Sequence, residues 1–387
     1  MRAASPDKRG PATAKGDDKA SITLAIGDVG GGHRSAACVL TEAFQACYGD
    51  RFTLTTVDFF SLADPSPLKD SNRSQTLFSR NPLLKRLVND PVWHLGNTGA
   101  GYRLLERYLL ERTFEPYRAF LSRRPPDLLV SLHPYLSVTL SALKRRGLPG
   151  RYAVVVTDLT SLLRGWADPE ADLIVSPTAE STRALERYGI DRDRIVSPLF
   201  PIATGLAEAA PREKTLQVLG LEAQKTTILL TSGGNGTGLL KEPIARLARD
   251  SRFQLIVVCG KDETLRAELS ERYAGAPNLR VLGFVTTMPD LFAAADIVVG
   301  KPGPATILEL ELLGKSAVLT ADIGPQEAGN ITYALENPRF RYVGHDWRSL
   351  ESSLEGLLAL PATSQDRPRR RFDEAHLIAA KLAALLD

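Results

Sequence analysis

Three consecutive stretches decide how this chain folds: ITLAI (residues 22–26), GDVGGGH (27–33) and RSAACVLTEAFQAC (34–47). An apolar run of strand length enters four glycines within six residues and leaves into a helix-like pattern, which is the strand–loop–helix unit of an α/β fold. A loop that rich in glycine lets backbone approach a ligand closely, and the helix start behind it offers free N–H groups to an anion. Two familiar readings fail. The Walker loop requires Lys-Ser/Thr where His33 and Arg34 stand, and the dinucleotide fingerprint lacks its third glycine, Ser35 occupying the place. A tight turn with no ligand stays open as the plain alternative. His33, at the positive end of a helix, would have its pKa lowered, which suits a neutral general base.

Outward from this unit, apolar runs at 54–57, 127–132, 153–156 and 173–176 alternate with helical or loop segments, so the region 21–202 reads as one parallel sheet with covering helices. Residues 203–225 lapse into Ala, Gly, Glu, Pro and Lys and read as a linker with one short helix. The rhythm restarts with TTILLT, FQLIVVC, LRVLGF, DIVVG and SAVLTA, giving a second doubly wound domain over 226–361. A last helical pattern at 366–387, carrying Phe372, Ala375, Leu377, Ile378, Leu382 and Leu385, is expected to pack back on the first domain. Residues 1–20 read as a disordered tail without the apolar run of a signal peptide. Two Rossmann-like domains facing across a cleft put ligands at the C-terminal ends of the strands.

Forty-eight Lys and Arg against 45 Asp and Glu leave a net charge of +3, too small to argue for nucleic acid. Cys38, Cys47 and Cys259 form no metal-ligand spacing and are expected as small buried hydrophobes, without disulfide or zinc. No stretch of about 18 uncharged apolar residues occurs, so no membrane span is expected.

The second half carries its own loops. Ser232, Gly233, Gly234, Asn235, Gly236, Thr237 and Gly238 follow one strand and could bring N–H groups to a diphosphate. Gly300, Lys301, Pro302, Gly303, Pro304, Ala305 and Thr306 follow another and open a helix with proline in its first turn. Thr306 and Glu309 share a helix face, fitting a diphosphate followed by a ribose diol, or an ordinary capping pair. Gln326, Glu327 and Asn330 lie within one helical turn and suit sugar hydroxyls. Asp191-Arg192-Asp193 has the form of a metal-bound diphosphate motif but sits in an apparent turn. His133, before Pro134, and Asp158, at a strand end, both fall near the cleft; Asp158 could orient His33, bind an acceptor, or merely cap a helix.

These motifs, namely GGGHRSAA (30–37), His133-Pro134, VVTDL (155–159) with Trp166, GGNGTG (233–238), CGKDETL (259–265), GFVTTM (283–288), KPGPATILE (301–309) and QEAGN (326–330), resemble in order and spacing those of the monogalactosyldiacylglycerol synthase and diacylglycerol glucosyltransferase group, relatives of the MurG transferase. The resemblance covers about 22–343. It implies a GT-B fold and an inverting transfer of galactose or glucose from a UDP-sugar, UDP-galactose or UDP-glucose, to diacylglycerol or a related lipid, without cofactor or catalytic metal. By position it implies His33 as base and backbone at Phe284 and Val285 on uracil. Glu309 would meet the ribose and Gly303, Pro304, Ala305 and Thr306 the diphosphate, with Gly31, Gly32, Gly233, Gly234, Asn235, Gly283 and Lys301 also binding the donor. Gln326, Glu327 and Asn330 would meet the hexose, and His133 and Trp166 lie on the acceptor side. The chain departs from the family at Leu163, where His is usual, at Gly324-Pro325, and at Pro198-Leu199-Phe200-Pro201. Between 59 and 124, eleven Lys and Arg against six Asp and Glu are interleaved with Phe59, Phe60, Leu83, Leu84, Trp93, Tyr102, Tyr108 and Tyr117. With the resemblance, that mixture implies a peripheral contact with an anionic membrane surface, on the inner face of the cell membrane; ordinary amphipathic helices would look the same. A UDP-sugar epimerase and a non-catalytic UDP-sugar-binding protein are the competing readings.

Overall fold

A computed structural model of the chain describes residues 19–28, 31–63, 90–231, 233, 241–320, 325–361 and 370–387. The first half runs β1 (Ala20–Ile26), α1 (Gly32–Tyr48), β2 (Phe52–Asp58), α2 (Asp90–Asn97), α3 (Gly99–Arg123), β3 (Leu128–Ser131), α4 (Pro134–Arg145), β4 (Arg151–Val155), β5 (Leu173–Val175), α5 (Ala179–Arg187) and β6 (Ile195–Val196). After α6 (Arg212–Val218) come β7 (Thr226–Thr231), α7 (Lys241–Leu247), β8 (Phe253–Val258), α8 (Glu263–Arg272), β9 (Leu279–Leu282), α9 (Met288–Ala294), β10 (Ile297–Gly300), α10 (Pro304–Leu312), β11 (Ser316–Thr320), α11 (Pro325–Leu335), β12 (Phe340–Gly344), α12 (Leu350–Leu358) and α13 (Glu374–Ala383).

The strands form two six-stranded sheets, ordered β2-β1-β3-β4-β5-β6 and β12-β11-β10-β7-β8-β9, with every pairing parallel. Helices cover both faces of such a sheet, so its strands are buried throughout and read as near-continuous apolar runs, as β8 (FQLIVV) does. Strand order reverses between β1 and β3 in one sheet and between β7 and β10 in the other. Those switch points open crevices at the carboxyl ends of the strands, and the loops singled out by their glycines, histidine and lysine leave from these same strands.

The stretch 203–225, expected as a linker, holds α6, and its Leu206, Leu216 and Leu221 join the core of the second sheet. From α13, Ala375, Ile378, Ala379 and Leu382 pack into the core beneath α1, beside Ala36, Val39 and Leu40. Phe372, expected in that apolar stripe, is 40% exposed, because the helix begins only at Glu374. Cys38 and Cys47 are also not where expected. Both are exposed on the outer face of α1, Cys259 alone is buried, and all three are free. Residues 1–18 and 64–89, with the tail and part of the basic stretch, lie outside the described residues.

Candidate active site

At the end of β1 the chain turns through Gly31, which caps α1 with φ of 83°, a left-handed conformation that disfavours any side chain. That turn places His33 in the first helical turn. Its Nδ1 lies 3.2 Å from the hydroxyl oxygen of Thr157, and its ring stands 4.5 Å from that of His133 and 6.4 Å from Trp166. Desolvation among these neighbours lowers the His33 pKa to about 4; a hydrogen bond to the Leu132 backbone and the charge of Asp28 oppose the shift, and Lys301 adds to it. The imidazole is therefore neutral at pH 7. Lys301 belongs to the second domain, so its influence on His33 crosses the cleft.

His133 caps α4, with Nδ1 accepting the Tyr135 N–H at 3.2 Å. It is buried against the edge of Phe60, and burial pushes its pKa well down. Asp158 turns away from His33. Its carboxylate accepts the indole N–H of Trp166 at 2.7 Å, and its pKa rises to about 6 through desolvation, with Glu327 across the cleft adding to the rise. The expectation that Asp158 orients His33 is thus corrected: the preceding residue, Thr157, makes that contact. Trp166 is fully buried, with its indole N–H given to Asp158.

On the second domain, Gly233 leaves β7 beside the Lys301 side chain. Lys301 reaches back to Glu327 on α11 at 2.8 Å, both side chains mostly buried. Gly303 caps α10 in an extended conformation with no side-chain cap. Pro304 has no N–H, so those of Ala305 and Thr306 are the first donors of the helix. The capping pair of Thr306 and Glu309 is therefore not formed. Glu309 instead accepts a long bond from Ala203 N–H, 3.4 Å, and desolvation raises its pKa to about 7. Past β9, Gly283 lies beside Arg266, Val285 packs partly into the core, and Phe284 stands 58% exposed with Lys261 5.8 Å from its ring centre.

Asn330 corrects a further expectation. It is 1% exposed, donates to the Pro302 carbonyl at 3.1 Å and accepts the Leu159 N–H at 3.4 Å. Its amide thus ties the two domains and is not presented to a sugar. One position earlier, a Cβ built on Gly329 would run into Thr160 and Ser161. Gly234 and Asn235 lie outside the described residues, as does the side chain of Gln326. The turn at Arg192–Arg194 holds Asp193, and among the described residues no group of three His, Cys, Asp or Glu is placed to hold a metal. Reasoning from sequence missed Thr157, Gly329 and the pairing of Lys301 with Glu327; the position of Thr157 just past β4 was the available signal.

Comparison with known proteins gives two family matches. Residues 33–202 match the model of monogalactosyldiacylglycerol (MGDG) synthase, and residues 227–323 that of the glycosyltransferase family 28 C-terminal domain. Monogalactosyldiacylglycerol synthase 1, chloroplastic, of Arabidopsis thaliana is 26% identical over 338 residues, 83% of this chain and 62% of that protein. The monogalactosyldiacylglycerol synthase of Spinacia oleracea is 28% identical over 343 residues, 83% and 63%. The chain thus spans a little under two thirds of these relatives. Among solved structures, the S. aureus MnaA–UDP co-structure superposes with a TM-score of 0.58 at 11% identity, covering 95% of this chain and 98% of that one. UDP-GlcNAc 2-epimerase from Neisseria meningitidis bound to UDP-GlcNAc gives 0.55 at 13%, covering 94% and 100%. MurG of Acinetobacter baumannii gives 0.53 at 13%, covering 95% of each. These likenesses show the two-domain GT-B fold. The first half of the chain is thus similar to MGDG synthase and the second to the C-terminal domain of glycosyltransferase family 28, on a fold shared with MurG.

Proposed function

We propose that the chain is an inverting glycosyltransferase that moves galactose or glucose from a UDP-sugar to a hydroxyl of diacylglycerol or a related lipid at an anionic membrane surface. The observation that carries this reading is the meeting across one cleft of a neutral imidazole, His33, with Lys301, whose charge acts on that ring and whose Nζ pairs with Glu327 at 2.8 Å. In this reading His33 takes the proton of the acceptor hydroxyl as its oxygen attacks the anomeric carbon, and the bond to UDP breaks on the opposite face, inverting the configuration. Negative charge then develops on the departing diphosphate. In the proposed scheme Lys301 and the N–H groups of Ala305 and Thr306 stabilise it, and no divalent ion enters. A bound diphosphate would also offset the Lys301 charge that lowers the His33 pKa, strengthening the base when the donor is present. Glu327 and Gln326 hold hexose hydroxyls, Glu309 the ribose, and the backbone at Phe284 and Val285 the uracil. The curated relatives, named as MGDG synthases, favour a lipid acceptor.

A UDP-sugar epimerase is the second reading, favoured by the fold neighbours that are UDP-GlcNAc 2-epimerases. One assay separates the two. Purified protein is given UDP-galactose or UDP-glucose with liposomes containing diacylglycerol, and glycolipid is the expected product. Release of an altered sugar without acceptor would favour the epimerase, and failure to bind either UDP-sugar would overturn both. His33→Ala is expected to lower kcat by roughly 10²- to 10⁴-fold; undiminished transfer would remove His33 from the mechanism.

A further inference from the structure

We propose that a cavity in the first domain, away from the cleft, is a binding site for a phosphate monoester. The cavity holds about 310 Å³ and lies where the start of α3, one side of α4, the loop at 164–169 and the chain just after α5 meet. It has the size of a site for a small ligand, and it takes no residue from the group around His33. Arg103 and Arg164 both line it, and neither guanidinium has a carboxylate partner among the described residues. The other charges at the cavity are already engaged. Arg145 donates to the Ser141 hydroxyl at 3.0 Å and stands 3.7 Å from Glu106 and 3.9 Å from Glu170. Asp168 is 3% exposed and accepts the Tyr152 hydroxyl at 2.7 Å.

Two positive groups left over in one recess call for an anion, and the kind of donor says which. Each guanidinium is a fork that takes two oxygens. A carboxylate has only two, so one fork satisfies it, whereas a phosphate monoester offers three. Arg164 is held ready for such a partner. Its guanidinium lies 5.8 Å from the ring centre of Tyr102 and 5.3 Å from that of Tyr188, and its backbone N–H donates to Asn97 Oδ1 at 2.9 Å. Stacking uses the flat face of the guanidinium and leaves its N–H edge to donate, and a side chain already ordered loses less entropy on binding. Tyr102 also lines the cavity; burial, with the charge of Glu106 adding to it, raises its pKa, so its hydroxyl stays protonated and can donate to a phosphate oxygen. The group that carries the phosphate can come from two sources. Leu95 and Leu104, exposed on α2 and α3, suit the acyl chains of a lipid, while a soluble polyol phosphate would leave them in water.

The test measures binding by calorimetry with glycerol 3-phosphate, and by flotation with neutral vesicles carrying either phosphatidic acid or an equal charge of fatty acid. For a soluble source, glycerol 3-phosphate is expected to bind, and Arg103→Gln and Arg164→Gln each to weaken it by roughly 10- to 100-fold. For a lipid source, phosphatidic acid vesicles are expected to hold the chain more firmly than fatty acid vesicles, and the difference to vanish in the same two variants. Arg164→Lys is expected to recover little, because an ammonium has no fork. Lys301→Gln, which alters the cleft instead, is expected to leave either binding unchanged. Arg103 is exposed, so Arg103→Gln should melt as the wild type does and carries the test should Arg164→Gln fail to fold. Absence of both bindings, binding that survives Arg103→Gln and Arg164→Gln, or binding that Lys301→Gln removes would each overturn the proposal, the last by placing the phosphate in the cleft.

Discussion

Burial lifts the Glu309 carboxyl from 4.5 to about 7, and the bond from Ala203 N–H, 3.4 Å long, offsets little of that. The sign follows from linkage. Below pH 4.5 the group is protonated folded or unfolded and contributes nothing. Between 4.5 and 7 the folded state binds the extra proton, so stability falls as pH rises through this window, and above 7 the full cost remains. Glu309→Gln should therefore be more stable than the wild type by up to about 3 kcal/mol at pH 8 and equal to it at pH 4, while binding UDP more weakly; urea unfolding at the two pH values, with UDP titration, checks both. Asp158, raised from 3.8 to about 6, acts in the same direction. His33, lowered from 6.5 to about 4, acts in the opposite one, since its folded form binds fewer protons over that range.

Helix α11 shows at the scale of an element what was legible in the sequence and what was not. Parallel strands buried on both faces leave continuous apolar runs, and turns at their carboxyl ends leave Gly and Pro, so both sheets and the loops at Gly31, Gly233 and Lys301 could be placed from residues alone. Contacts between residues 124 and 171 apart, Thr157 with His33 and Leu159 with Asn330, leave no local mark; Gln326, Glu327 and Asn330 looked equivalent on one helical turn although Asn330 ties the domains. Gly329 has the same character. It looks like a weak spot in a helix, yet it is where α11 comes close to Thr160 and Ser161. Gly329→Ala should favour helix by about 1 kcal/mol on propensity while forcing α11 off the loop. We expect a raised KM for the UDP-sugar with little loss of thermal stability, as steady-state kinetics beside a melting curve would show.

Across the whole molecule, the neighbouring helices α2 and α3 carry several exposed apolar side chains together with arginines. Leu95, Leu104, Tyr108 and Phe120 are exposed on α2 and α3, and α3 carries Arg103, Arg107, Arg112, Arg118 and Arg123. Among the described residues no helix is long and apolar enough to cross a membrane; contact through α2 and α3 would serve the proposed lipid acceptor. Leu104→Asp should weaken flotation with anionic vesicles, and salt should weaken it further, with UDP binding unchanged. The return of α13 into the core beneath α1 bears on how the molecule is made. On a ribosome, the first sheet emerges before the second, yet its hydrophobic floor is completed by a helix that follows the second. The early domain must wait with an open apolar face until the later one has been synthesised, and a chain cut between β12 and α13 would lose the fold of the half it appears to leave intact.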